Sequence, residues 1–540
     1  MSLVGTNDLH GAILPADDVG GLAIFGGYVQ NLRAARARDG GAVLLVDAGD
    51  MFQGTLESNL TEGASVVAAY NALGYAAAAI GNHEFDFGPV GPEPRTPSAD
   101  PRGALKARAA EARFPFLAAN LADLFSGRLV DWPNVKPSTL VDVNGVKVGI
   151  VGVLTAAALS STAPINTVGL RVLPLATAVE QQATRLRAQG AGIIIVAAHA
   201  GGSCTRFEDP ANLASCNQAS EIVKLARALP AGLVDAIVAG HVHERMAHRV
   251  AGIPVIESMS RGRGFGRIDV SVDRTTGRAV STKIFAPRDL CAFESSAGRC
   301  VTRGSGSPAR YEGATVEPDA AIARVIAPAV RQVSALKARP LGVTLDTAIR
   351  RGEGDVSPLG NLVTDAMRAA VPNADAALNN SRGGLRADLR RGPLTYGSLY
   401  EVIPFDNTLA TLPLTGRELR RVVTTQLTEN QRLVGISGFT VNAVCRGRAL
   451  QVTLTRESGR AIQDSDHVNV VTSDYLAQGG ARILAPILPP DGFAYEDEPL
   501  LQREAVAAWL TRRGGHLRDA DFTDARPRWT YPGKLPVRCP

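Results

Sequence analysis

A chain of 540 residues, 45% hydrophobic and 20% charged, is too long for one core and has the composition of a globular protein, so two domains are expected. The net charge of +5 is small for this length and the arginines are scattered, which argues against a nucleic-acid partner. No run of about 18 apolar residues occurs, which excludes a membrane-spanning helix.

Over the first 300 residues, apolar runs alternate with helical patterns. Residues 42–46, 76–80, 146–153, 193–198 and 234–239 read as buried strands, and 176–189 as a helix between two of them. Strand and helix in alternation predict an α/β layered domain. From Cys291 to Gly313 the chain is rich in Gly, Ser and Arg without periodicity and reads as loop. Residues 318–338 are helical again, with Pro328 expected to kink them. We therefore place a first domain over 1–312, a linker with a connecting helix over 313–340, and a second domain over 341–540. That second part opens with a strand, a turn and a helix at 360–370, and then favours short strands at 410–413, 450–455 and 468–472.

Six cysteines fall in an informative pattern. Cys204 and Cys216 bracket one short polar stretch, Cys291 and Cys300 another, and Cys445 and Cys539 remain as a third pair. None has zinc or redox spacing, so disulfides and an oxidising compartment are expected, periplasmic or secreted. Residues 1–5 contain no export signal, and the expectation is that one has been removed upstream.

Five clusters of possible metal ligands each follow a predicted strand. They are Asp8 and His10 in TNDLHG, Asp47 and Asp50 in VDAGD, Asn82, His83, Glu84 and Asp86 in GNHEFD, His199 in AAHAGG, and His241 and His243 in AGHVHE. The carboxyl edge of an open α/β sheet is where ligands bind, so five loops should converge there on one site. Five of the eight histidines lie in these clusters, whereas His248, His467 and His516 read as structural. Two aspartates, an amide and four imidazoles are oxygen and nitrogen donors without a thiolate, suited to Mn, Zn, Fe or Co. Seven donors are too many for one tetrahedral ion and suit two ions sharing a carboxylate. Asp47 and Glu84 read as hydrogen-bonding supports or turn caps.

The series D-x-H, G-D, G-N-H-E, H and G-H-x-H resembles the calcineurin-like metallophosphoesterases, and TNDLHG with GNHEFDFG resembles their 5′-nucleotidase branch. The resemblance implies a four-layer α/β/β/α domain in which Asp8, His10 and His243 hold one divalent ion and Asn82, His199 and His241 a second, with Asp50 between them. It makes His83 the group that protonates or stabilises the leaving oxygen, with Asp86 orienting it.

The second half adds LGNLVTDAMR (359–368), NNSRGGLR (379–386), IPFDNTL (403–409) and SDYLAQGG (473–480). Aromatic rings can sandwich a base, and arginine forks match phosphate oxygens. These motifs resemble a 5′-nucleotidase C-terminal domain, a separate α+β unit. That resemblance implies stacking by Phe405 and Tyr475, a base contact from Asn407, and phosphate contacts from Arg386, Asn380 and either Arg351 or Arg350. Two departures stand out: one extra residue separates Asn380 from Gly383-Gly384, and Ala481 replaces the aspartate that holds the ribose hydroxyls. The expected activity is dimetal-dependent hydrolysis of a nucleotide phosphomonoester, a small-molecule substrate. Cyclic-nucleotide, UDP-sugar and thiosulfohydrolase relatives are the alternatives, and a silent nucleotide-binding protein is the last. Oligomeric state is not legible.

Overall fold

The computed structural model describes residues 1–91, 99–352, 357–381, 383–430, 433–489, 493, 496–523 and 527–540; Arg382 of the NNSRGGLR motif lies outside them. The chain divides into two compact units, residues 1–162 with 166–333, and 163–165 with 334–540.

The first unit is built on two sheets. One has seven strands in the order Ala279–Asp289, Gly264–Val272, Ser2–Thr6, Val43–Asp47, Tyr75–Ala79, Phe116–Leu117 and Val135–Lys136. The other has six, in the order Arg245–Val250, Ile253–Ser258, Ala236–Ala239, Ile193–His199, Val146–Leu154 and Ser138–Val143. The central strands are parallel, which explains their near-continuous apolar runs: both faces are covered. Leu3, Val46, Ile150, Ile195 and Val238 form the core between the sheets. Helices Leu22–Arg38 and Ala64–Leu73 cover the outer face of the first sheet, and Leu175–Ala188 and Glu221–Ala228 that of the second. The result is the expected four-layer α/β/β/α arrangement. Gly152 lets the layers close, since a Cβ there would come 2.1 Å from Leu117 Cβ.

One local expectation needs correction. The 291–313 stretch is not plain loop: Phe293–Glu294 pairs with Cys300–Val301 and with Ser307–Pro308, and Arg310–Tyr311 pairs with Ala314–Thr315. Strands of two residues are too short to leave a periodic signature. The helix expected over 318–338 is present as Ala320–Ala338 and contains Pro328, which removes one backbone donor without ending it.

The second unit has a five-stranded mixed sheet in the order Gly435–Ser437, Ala376–Asn379, His467–Ser473, Thr408–Thr415 and Glu496–Leu501. Two three-stranded sheets and helices Pro358–Ala370, Gly416–Glu429 and Gln502–Arg513 complete it. Amphipathic patterning docks Gly416–Glu429 through Leu419, Val422, Val423 and Leu427, and a Thr415–Glu418 capping box starts it. All six cysteines are paired: Cys204–Cys216, Cys291–Cys300 and Cys445–Cys539. Among the described residues no helix is long and apolar enough to cross a membrane.

Candidate active site

Five loops leave the carboxyl edges of the two sheets and bring the candidate ligands together. Asp8, His10, Asp50 and His243 each place one ligand atom within 4.8 Å of the others, and Asp50, His199 and His241 do the same. Asp50 belongs to both groups. Asn82 Oδ1 joins the second, 3.0 Å from His199 Nε2 and 3.1 Å from His241 Nδ1. The backbone is strained where it delivers these side chains: Asp8, His10, Asp50, His241 and His243 all have positive φ, from 50° to 84°. Each such residue costs about 1–3 kcal/mol and persists only where its surroundings impose it.

The donor set fits cations on chemical grounds. His199 Nδ1 meets the carbonyl of Ala48 at 2.9 Å and must carry its proton there, so neutral His199 turns a lone pair from Nε2 into the site. That lone pair faces Asn82 Oδ1 and, at 3.3 Å, Asp50 Oδ2. Asn82 cannot turn its amide inward, because Nδ2 donates to Ser161 O. His10 repeats the pattern: Nδ1 donates to Gln53 O at 2.9 Å, and Nε2 points at His243 Nε2 2.8 Å away. Lone pairs and carboxylates converging in a buried space repel one another until a positive charge sits among them.

The electrostatics show the same stress. Burial pushes the Asp8 carboxyl up to about 7. Burial opposes a charge on His199, yet the carboxylates of Asp50, Asp8 and Glu84 outweigh it and raise that imidazole to about 10. His241 is lowered to about 4 by burial and by the charge on His199.

Behind the ligands lies a layer of positioning contacts. Glu84 is buried and grips three backbone amides: Gly81 N at 2.7 Å, Asp50 N at 2.9 Å and Met51 N at 2.7 Å. One carboxylate thereby ties the loop of Asp50 to the loop of Asn82. Gly81 leaves room for this, since a Cβ would lie 2.2 Å from Asp50 Oδ1. Asp47 is pushed up to about 6 by burial. It accepts from Gly49 N, Thr6 Oγ1 and Tyr70 Oη, and Tyr70 stacks on Tyr75 with centroids 4.0 Å apart. Asn7 orients Asp8, donating to its Oδ2 at 2.7 Å and to Met259 O while accepting from Ser258 N. Asn7, Tyr70 and Tyr75 were not expected from the sequence; a polar side chain on the first ligand loop is the only signal for Asn7.

His83 stands beside the ligands, its ring centroid 5.0 Å from that of His10. Its Nδ1 meets Asp86 Oδ2 at 2.5 Å, and Thr162 Oγ1 donates to the other oxygen of Asp86 at 2.6 Å. The backbone N of His83 donates to Asp50 Oδ1. His248 is fully buried in the strand Arg245–Val250, His516 pairs with Asp346 and His467 opens a strand, all apart from these two ligand groups.

In the second unit, Leu409 pairs with Ser473, so Asn407 and Tyr475 leave the five-stranded sheet at one edge. The strand Ala376–Asn379, parallel to His467–Ser473, ends there too. The Arg386 guanidinium lies 5.9 Å from the Phe405 ring, and Arg386 N donates to Val402 O. Asn380 Oδ1 accepts from Gly383 N, capping the turn with the extra residue. Arg351 is held to Asp388 and to Leu385 O, and Arg350 N donates to Asp519. Tyr475 is half-buried and its hydroxyl accepts from Ala481 N at 2.9 Å, with Ala481 in left-handed backbone.

Comparison with known proteins fits both halves. Residues 1–245 match the calcineurin-like phosphoesterase model and residues 333–486 the 5′-nucleotidase C-terminal domain. The chain therefore carries a calcineurin-like phosphoesterase domain followed by a 5′-nucleotidase C-terminal domain. The phosphoesterase domain indicates a phosphoric ester hydrolase and implies divalent metal ions. Among similar proteins, endonuclease YhcR of Bacillus subtilis is 27% identical over 90% of this chain, which spans 38% of that longer protein. Protein UshA of Yersinia enterocolitica is 26% identical over 89% of this chain and 86% of its own length. In fold, a 5′-nucleotidase precursor from Thermus thermophilus superposes with a TM-score of 0.73 at 24% identity, covering 98% of this chain and 99% of that one.

Proposed function

We propose that this chain is a dimetal-dependent nucleotide phosphomonoesterase, releasing nucleoside and phosphate outside the cytoplasm. The observation that carries the reading is the pair of donor groups sharing Asp50. Asp8, His10 and His243 would hold one divalent ion and Asn82, His199 and His241 the other, with Asp50 common to both. Two such ions, whether Mn, Zn, Fe or Co, supply Lewis acidity and lower the pKa of water. His83, its Nδ1 held by Asp86, gives a proton from Nε2 to the departing ester oxygen. Asp86, itself held by Thr162, accepts the Nδ1 proton and so favours the imidazolium, whose second proton on Nε2 is the one given; the ring is left neutral and protonated on Nδ1. Phe405 and Tyr475 would stack the base, Asn407 would contact its edge, and Arg386, Asn380 and Arg351 would serve the phosphate side. The three disulfides support a periplasmic or secreted location.

Ala481 favours a second reading of the same site. Without a carboxylate there, the ribose diol loses a charge-assisted hydrogen bond, and esters other than nucleoside monophosphates become competitive. An activity panel with Mn²⁺ separates these: AMP, cyclic nucleotides, UDP-glucose and an aryl phosphate. The highest kcat/KM is expected for AMP. Turnover of UDP-glucose or a cyclic nucleotide with AMP left intact overturns the phosphomonoesterase reading, and no turnover of any ester overturns the enzyme.

A further inference from the structure

We infer that Arg503 is a positioning residue for substrate specificity, the clamp that sets Phe405 in place as a base platform; this rests on the base-stacking role proposed above for Phe405. Arg503 is the second residue of the helix Gln502–Arg513 and only 4% exposed. A cation is buried so deeply only when its donors are used. Its Nη1 donates to the carbonyls of Ile403 and Phe405, each at 3.1 Å, and Nη2 donates to Asp406 Oδ1 at 2.6 Å. Its Nε donates to Tyr396 Oη at 3.0 Å, and the guanidinium lies 4.1 Å from the centroid of the Tyr400 ring.

Three acceptors of the Ile403–Asp406 segment thus converge on one fork. The neighbouring residue extends the grip, because Gln502 N donates to Asn407 O at 2.9 Å. The segment joins the helix Tyr396–Val402 to the strand Thr408–Thr415 and has no ladder of its own. Its carbonyls would otherwise need water, and the ring of Phe405 would follow wherever the backbone went. A planar guanidinium satisfies divergent acceptors in fixed directions, which an ammonium cannot do. Arg503 donates to the backbone carbonyl of Phe405, so it acts through the platform and not on substrate.

The test compares Arg503→Lys, Asp406→Asn and Phe405→Ala in the full-length, Mn²⁺-loaded protein. The readouts are kcat and KM for AMP and for p-nitrophenyl phosphate. Phe405→Ala should raise the ratio of the AMP KM to the aryl phosphate KM by about fivefold or more, the scale of one stacked base. Arg503→Lys should raise the same ratio, with kcat for AMP changing less than KM, and adding it to Phe405→Ala should produce no further rise. Asp406 is half-exposed, so Asp406→Asn folds without orphaning a buried group and should move the ratio in the same direction by a smaller factor. Amide hydrogen exchange at 403–407 should quicken in Arg503→Lys. An unchanged ratio in both Arg503→Lys and Asp406→Asn overturns the clamp, as does an equal loss of kcat/KM on both substrates. An unchanged ratio in Phe405→Ala overturns the stacking reading itself, and faster exchange in Arg503→Lys would then show the clamp to be structural only.

Discussion

Glu84 offers the sharpest test of how the metal-bearing loops are held. Its carboxylate is 1% exposed and accepts three backbone N–H groups, two on one oxygen and one on the other. Hydrogen bonds to a charged acceptor contribute about 1.5–3 kcal/mol each, and an orphaned buried amide costs about 1–3 kcal/mol. Glu84→Ala removes all three acceptors, a loss of roughly 3–9 kcal/mol if additive, against a total stability of about 5–15 kcal/mol. It should accumulate little folded protein. Glu84→Gln keeps an oxygen for Gly81 and Asp50 and turns an NH₂ toward Met51 N, one lost bond plus one donor facing a donor. The expected cost is about 2–5 kcal/mol. Because the displaced amides belong to the turn of Asp50, metal affinity should fall by about 10–100-fold, the usual effect of losing a ligand's support. Urea unfolding of metal-free protein measures the first quantity and Mn²⁺ titration the second. A Glu84→Gln protein within about 0.5 kcal/mol of wild type, with unchanged Mn²⁺ affinity, would refute the reasoning.

His83→Ala should keep full metal content by elemental analysis and lose about 10²–10⁴-fold in kcat, whereas Asp50→Asn should lose both ions; a metal deficit in His83→Ala would contradict its assigned role. In metal-free protein, burial raises Asp8 and Glu84 to about 7 and Asp47 to about 6, so the native state binds protons that the unfolded chain has released. His241, lowered to about 4, works the other way below its ordinary 6.5, but the three acids outnumber it. Stability should therefore fall as pH rises from about 4 to 7, and His199, raised to about 10, extends the loss above 6.5. Metal-free protein that resists urea better at about pH 8 than at about pH 5 would falsify this. With Ala481 in place of a carboxylate, AMP and dAMP should differ in kcat/KM by less than roughly tenfold, or about 1.4 kcal/mol; a stronger ribose preference would show that another group reads the diol.

How much was legible beforehand differs by kind of residue. The candidate ligands stood out because each cluster is contiguous and follows an apolar run, and the end of a strand in a parallel sheet is a place in space as well as in sequence. The α/β layering followed from alternating strand and helix, the four-layer order from the resemblance, and two disulfides from cysteines 12 and 9 residues apart. The sharing of Asp50 by two groups was implied only by the resemblance; residue types and spacing alone did not assign it, because it depends on loops from both sheets meeting. The same holds for the three amides on Glu84, the Tyr70–Tyr75 stack on Asp47, and the fork of Arg503 on residues about a hundred positions earlier. A buried acid or arginine looks like any other charged residue in a sequence. Local periodicity and composition determine which element a residue joins. Which polar atoms face one another across elements is decided only by packing, when each buried donor must find an acceptor.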